Sequence, residues 1–390
     1  MQSLKNVVVV GGSYVGSGAA TKLANALPSG YRVLLVEPHS HFHHLFAFPR
    51  FAIVPQHEHK AFIPYTRLFA SAQAPNSHAV VQAKAVRVAD KVLHLDRAWE
   101  EAKELPYEYL VIATGTKLPS PGSMQHDHKL GGVDFFKTYQ GGIKTAKNIV
   151  IIGGGAVGVQ MALDLKEFYP EKNVTLVHSR DKVMNRFHPG LDAIVRKRFD
   201  EVGVKAITGE RVKLPAEGFP TDGTPTTVHT TNSEIPADLV ILATGQVPNN
   251  QLVKDLDDDA EDKLTAPNGF LRVRPTLQLL NPAYSNVFAL GDIADTGAPK
   301  AARPGMLQAD VVVDNILSLI EGKEPTKKLE VGAAAIHLTL GLKQNVIFKN
   351  PDGDEEPMIK MRDDGQEDMG IEGVWTRRGF QVKDASEYHL

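Results

Sequence analysis

The sequence predicts an α/β fold of two Rossmann-like domains with a small α+β C-terminal region, and two observations predict it. An apolar strand, a glycine-rich turn and a helical stretch follow one another at the start of the chain, and the same succession returns after residue 147. The 390 residues exceed one ordinary domain and suffice for two or three, each with a sizeable core.

In the first copy, residues 6–10 are an apolar, β-branched run of strand type. The turn Gly11-Gly12-Ser13-Tyr14-Val15-Gly16 follows, then an alanine-rich helical stretch over 17–26. Pro28, Ser29 and Gly30 make a turn, and residues 31–36 form a second strand that leads into Glu37. In the second copy, strand 148–152 runs into Gly153-Gly154-Gly155-Ala156-Val157-Gly158, and the helical stretch 159–168 is stopped by Pro170 before strand 173–177. Each copy reads as a βαβ unit of the dinucleotide-binding kind.

The glycines have separate duties. The first permits the tight turn, the second lets the backbone approach a pyrophosphate, and the third lets helix and strand pack closely. The free N–H groups at the helix start bind the anionic phosphates. Ser13 replaces the middle glycine of the first copy, a departure that a small side chain tolerates.

The ends of the second strands distinguish the two units. Glu37 lies 21 positions after Gly16, where a carboxylate accepts hydrogen bonds from ribose hydroxyls. The same spacing from Gly158 reaches Ser179, followed by Arg180. No carboxylate stands there to repel a 2′-phosphate, and Arg180 suits bidentate pairing with one. That favours NADPH at least as much as NADH, with a solvated surface arginine as the plainer reading.

Composition removes other classes. A formal net charge of −3 gives no basic field for nucleic acid. The absence of cysteine excludes a redox dithiol, a thiolate nucleophile and a Cys-ligated metal, so redox chemistry here needs a bound cofactor. The opening residues lead straight into a strand without a signal-peptide pattern, and no apolar run approaches a spanning helix. A cytoplasmic protein is expected, with peripheral membrane contact left open.

Further motifs carry a family resemblance. Residues 107–115, ending in Ala113-Thr114-Gly115, resemble the signature that leads out of the FAD domain in two-dinucleotide-binding flavoproteins. Residues 237–245, ending at Gly245, have the form expected where the chain leaves the NAD(P) domain. Residues 286–292, with Gly291 and Asp292, resemble the second FAD motif, whose aspartate bonds the ribityl chain in that family. Within the superfamily, residues 44–52, 58–65 and 174–179 are similar to the apoptosis-inducing-factor-like group, particularly its fungal members and the ferroptosis-suppressor type of quinone reductase.

The resemblance implies oxidation of NADH or NADPH through FAD, with a quinone or another small acceptor. Pro49 and Arg50 are expected to begin the segment beside the isoalloxazine, the cation stabilising negative charge on reduced flavin. Pro49 equally serves to end a helix or edge a loop. Lys117 and Lys300 are candidates for groups near the flavin or acceptor, with a surface role as the alternative for each. Gln160 stands where many relatives carry a glutamate, which leaves open any ion pair near the nicotinamide.

The implied organisation is an FAD domain from 1 to about 118, an NAD(P) domain over roughly 145–245, a return to the FAD domain over 246–315, and a C-terminal region over 316–390. In the last, residues 338–348 look strand-like and 373–381 suggest another short strand. The tail 383–390 has no basic amphipathic pattern. The histidines at 39, 41, 43, 44, 57 and 59 lack recognised ligand spacing, so packing rather than metal binding is expected. The acidic runs 255–262 and 352–356 read as solvated turns. Two other functions stay open: a flavoenzyme of specialised metabolism or detoxification, and a redox-sensing signalling protein of the apoptosis-inducing-factor kind.

Overall fold

The computed structural model describes residues 4–89, 91–220, 223–257, 263–353 and 355–390. The first three residues, positions 258–262 of the first acidic run and Asp354 of the second lie outside the described residues.

The first strand, Lys5–Val10, is central to a five-stranded parallel sheet in the order Val287–Ala289, Tyr109–Ile112, Lys5–Val10, Tyr31–Val36, Ala79–Val81. Its valines alternate between two cores. Val7 and Val9 join Leu23, Val33 and Val111 on one face, and Val8 and Val10 join Leu34 and Leu110 on the other. A sheet buried on both faces needs such a continuous apolar run. Tyr14–Ala26 crosses between the first two strands and buries Gly16, Ala19, Ala20 and Leu23 at helical spacing. Its small face lets the helix Ala302–Ile320 lie close, with Gly18 against Met306 and Lys22 paired to Asp310.

The second unit repeats this plan in a four-stranded parallel sheet ordered Lys205–Thr208, Asn173–His178, Asn148–Ile152, Leu239–Leu242. Ile149 and Ile151 face the core that holds Ala156–Phe168, and Val150 and Ile152 face the opposite side. The fold is therefore α/β with two Rossmann-like parallel sheets, and smaller β-rich elements follow.

The two links between the sheets meet. Thr116–Lys117 pairs antiparallel with Val247–Pro248, immediately after the two Ala-Thr-Gly turns. Asn249 closes the ribbon by donating to the Thr114 carbonyl at 2.9 Å and accepting the Thr114 hydroxyl at its own carbonyl at 2.8 Å.

The C-terminal region touches both units. Residues 338–348 are not one strand: Ala335–Thr339 and Asn345–Lys349 pair antiparallel about a turn containing Gly341, whose φ is +106°. Met358–Arg362 adds a third strand. Residues 373–381 are not a strand either, since Ile371–Arg377 is a helix. Ile371, Val374 and Trp375 are buried at i, i+3 and i+4, a helical period that outweighs the β-branched and aromatic composition. Among the described residues, no helix is long and apolar enough to cross a membrane.

Candidate functional site

Both glycine turns are built for close approach. Gly11, at φ +105°, lies against the Ala113 carbonyl, and a Cβ on Gly16 would collide with the Gly11 carbonyl. Gly153, at φ +127°, lies against the Ala243 carbonyl, and Gly158 repeats the collision with Gly153. The middle positions are different. A Cβ on Gly155 would meet nothing within 4 Å, and the Ser13 side chain makes no capping hydrogen bond among the described residues.

Neither motif helix has a side-chain N-cap, and neither carries an acidic residue in its first turn. Their leading N–H groups are thus uncommitted to side chains, and the helix dipoles add positive potential there. Two such cradles fit two dinucleotide pyrophosphates. The fold thus supports a flavin and nicotinamide cofactor system.

Around the first cradle the expected residues converge. Glu37, 5 % exposed, accepts from the Gly12 N–H at 2.5 Å and from the His39 N–H at 3.0 Å, and its other contact is the His39 ring. Gly12 is held from the other side, its carbonyl accepting the Tyr65 hydroxyl at 2.8 Å. Gly291, at φ +74°, packs on Val15 and donates its N–H to Gln308 at 2.7 Å. Asp292 starts the next turn. Burial pushes its carboxyl above the usual carboxylate range, against the pull of Lys300 and a Thr116 hydrogen bond. Lys300 is itself lowered by burial, opposed by Asp295 and Asp292. It bonds the Ala294 carbonyl and lies 4.3 Å from the Phe270 ring. Lys117 stands apart, exposed on the ribbon.

Arg50 differs from its expected role. Pro49 is the second residue of a helical turn, Phe48–Phe51, whose residues are all buried. Arg50 is 0 % exposed and turns toward the second unit. Its Nε donates to Asp164 at 2.6 Å and its Nη2 to the Gly341 carbonyl at 2.8 Å, while Nη1 reaches the Gln366 carbonyl at 3.3 Å. A guanidinium so engaged joins the first unit, the second unit and the C-terminal region, and it is not free to face a flavin. Asp164 is also 0 % exposed, and burial raises its carboxyl against the lowering pull of Arg50 and Gln160. Gln160, one helical turn before Asp164, hydrogen-bonds that carboxyl.

The second cradle also corrects a sequence assignment. Val10 pairs with Val36, and Gly11 N–H donates to Val36; Ile152 pairs with Val177, and Gly153 N–H donates to Val177. By this register His178, not Ser179, occupies the place of Glu37. Counting from the third glycine misses this because Val36 lies 20 positions after Gly16, whereas Val177 lies 19 after Gly158. Arg180 follows, exposed.

Among the described residues no three His, Asp or Glu side chains are grouped to hold a metal ion, and several of the histidines have hydrogen-bond partners. His44 meets the Tyr14 hydroxyl at 2.8 Å, His39 binds Glu37, and His41 reaches the Leu390 carbonyl at 3.1 Å. Tyr14, Tyr65 and Arg378 were not singled out in the sequence. Arg378 lies over the Phe42 ring with its carbon 3.1 Å from the centroid, and burial lowers it to about 10.

Comparisons with known proteins agree with this architecture. The chain is 33% identical over 408 aligned residues to "Fe-regulated protein 8" of Mycosarcoma maydis, covering 97% of this chain and 96% of that protein. It is 30% identical to ferroptosis suppressor protein 1 of Taeniopygia guttata, covering 87% of each chain. Among solved structures, the sulfide:quinone oxidoreductase of Aquifex aeolicus superposes with a TM-score of 0.72 at 21% identity, covering 98% of this chain and 94% of that one. The model for "Pyridine nucleotide-disulphide oxidoreductase" matches residues 5–310. The chain belongs to the pyridine nucleotide-disulphide oxidoreductase family and is related to the ferroptosis-suppressor and apoptosis-inducing-factor proteins.

Proposed function

We propose that the protein is an FAD-dependent NAD(P)H oxidoreductase that passes electrons from NADH or NADPH to a quinone-like small acceptor. The observation that carries this reading is the pair of uncapped, acid-free helix starts behind glycine turns, one in each parallel sheet. FAD supplies the hydride acceptance and onward electron transfer. The first unit holds it: Gly11, Gly12, Ser13, Val15 and Gly16 admit the pyrophosphate, with Ala113, Thr114, Gly115 and Pro49 lining its length. Glu37 would hold the adenosine ribose, and Asp292 with Gly291 would hold the ribityl chain. Gly153, Gly155, Gly158 and Gly245 seat the coenzyme, with Arg180 near its ribose.

The protein's contribution is alignment and electrostatics. Arg50 fixes the second unit against the first from within a dry core. Lys300 holds a positive charge beside Asp292, and Lys117 presents an exposed cation on the ribbon where an acceptor arrives. The coverage of the ferroptosis suppressor relatives and the likeness in fold to a sulfide:quinone oxidoreductase favour a quinone as acceptor. Steady-state turnover of the flavin-loaded protein with short-chain quinones tests it. Quinone-dependent oxidation of NAD(P)H supports the reading; coenzyme that reduces the flavin without any quinone turnover favours a dedicated metabolic or detoxifying substrate instead.

A further inference from the structure

The chain places a largely buried cation where none of its own acids neutralises it. Arg378 is the C-cap of the helix Ile371–Arg377, and its side chain leaves that helix to lie over the Phe42 ring. A guanidinium carries a fork of N–H donors. Among the described residues the side chain of Arg378 finds one acceptor, the Ser17 hydroxyl oxygen, at 3.4 Å from both Nη1 and Nη2. The charged groups that reach it include no carboxylate. Arg50, by contrast, has both a carboxylate and carbonyls.

The place matters as much as the missing partner. The Ser17 hydroxyl donates in turn to the Ser13 carbonyl at 2.7 Å, so the guanidinium stands against the first turn of the motif helix Tyr14–Ala26. That is the positive end of the helix dipole, where a cation is repelled and an anion is held. The other neighbours offer no negative charge. Tyr14 and Tyr65, whose hydroxyls meet His44 and the Gly12 carbonyl, are kept neutral by burial, which also keeps His44 uncharged, and Arg377 adds a second cation. A desolvated charge without a counter-charge is costly, and an uncapped helix start beside a guanidinium is a setting for phosphate. Trp375 and Phe380 are buried against the first unit, and Arg67 donates to the Gly379 carbonyl at 2.8 Å, so the residues around Arg378 are held in place. The family match ends at residue 310, which leaves Arg378 outside the segment that the family shares.

We propose that Arg378, reaching back from the C-terminal helix, pairs with the diphosphate of the flavin dinucleotide held at the first glycine turn, so that the C-terminal region completes the cofactor site. This rests on the flavin reading above and adds to it a phosphate ligand from beyond the family's shared segment.

The test dilutes the FAD-loaded protein and follows the fluorescence of released flavin, which gives the FAD dissociation constant at low and at high salt. Arg378→Met keeps the length and the apolar packing over Phe42 but loses the charge. It weakens FAD at least about tenfold at low salt, and its affinity responds less to salt than that of wild type, because one ion pair with phosphate is gone. Arg378→Lys retains the charge and binds FAD more tightly than Arg378→Met. A purely structural role for Arg378 would leave the salt response unchanged. Should Arg378→Met give no folded protein by circular dichroism, Arg378→Gln takes its place under the same thresholds. A loss of less than tenfold, an undiminished salt response, or an Arg378→Lys as weak as Arg378→Met overturns the proposal and leaves the flavin reading standing. Wild-type protein that takes up no FAD overturns both.

Discussion

Removing the Asp164 carboxylate tests the structural role assigned to Arg50. Both side chains are 0 % exposed, and the Nε to Oδ2 distance is 2.6 Å. Breaking a buried pair by deleting one partner leaves the other charge uncompensated and costs about 3–5 kcal/mol. In Asp164→Ala the guanidinium keeps its carbonyl partners at Gly341 and Gln366 but loses its counter-charge. An unfolding entropy of about 0.8 kcal/mol/K, scaled from roughly 2 cal/mol/K per residue, turns that cost into a Tm fall of roughly 4–6 °C when the units unfold together. Scanning calorimetry of the flavin-loaded protein reads it. Replacing both partners, as Arg50→Met with Asp164→Leu, removes the charges together and recovers most of the loss, because well-packed apolar pairs match or exceed buried ion pairs. A Tm within about 1 °C of wild type for Asp164→Ala, or a double variant as unstable as the two single changes added, would refute the reasoning.

Three other outcomes follow from the same geometry. Gly155→Glu places a carboxylate in open space at the helix start, so flavin content stays normal while coenzyme affinity falls at least about tenfold, as equilibrium titration reads it. Gly16→Ala forces a Cβ into the Gly11 carbonyl, and the purified variant lacks the visible flavin absorbance of wild type. Burial lowers His44 from its ordinary 6.5 to about 3, so the unfolded chain binds more protons than the folded one between those values. Its contribution to stability is full above about pH 6.5 and is lost as pH falls toward 3, by up to about 1.4 kcal/mol per pH unit. His44→Gln, which does not titrate, shows a shallower loss in denaturant titrations across that range.

Much of the architecture was legible because its signals are local. Glycines at turn positions, valine runs and small helix faces fix each βαβ unit within a short stretch of chain, and Glu37 stands where the spacing from Gly16 puts it. What sequence reading missed depended on register or distant contact. Ser179 was matched to Glu37 by counting from a glycine, whereas pairing of Ile152 with Val177 gives the place to His178. The neighbourhood of Arg50 suggests a flavin contact, and its partner lies 114 positions away. Asp164 carries a signal, being the one charge in the otherwise apolar stretch Met161–Leu165 of its helix. The composition of residues 373–381 suggests a strand, although Ile371, Val374 and Trp375 already hold a helical period. Arg378 had no local signal, since its setting over Phe42 comes from packing of the last helix on the first unit.

The most direct test of the account is an anaerobic titration of the purified yellow protein with NADPH, followed by its visible spectrum. Stoichiometric bleaching of the flavin band is expected, with NADPH acting at least as well as NADH. Protein that is colourless and takes up no added FAD, or a bound flavin that neither coenzyme bleaches, would contradict it.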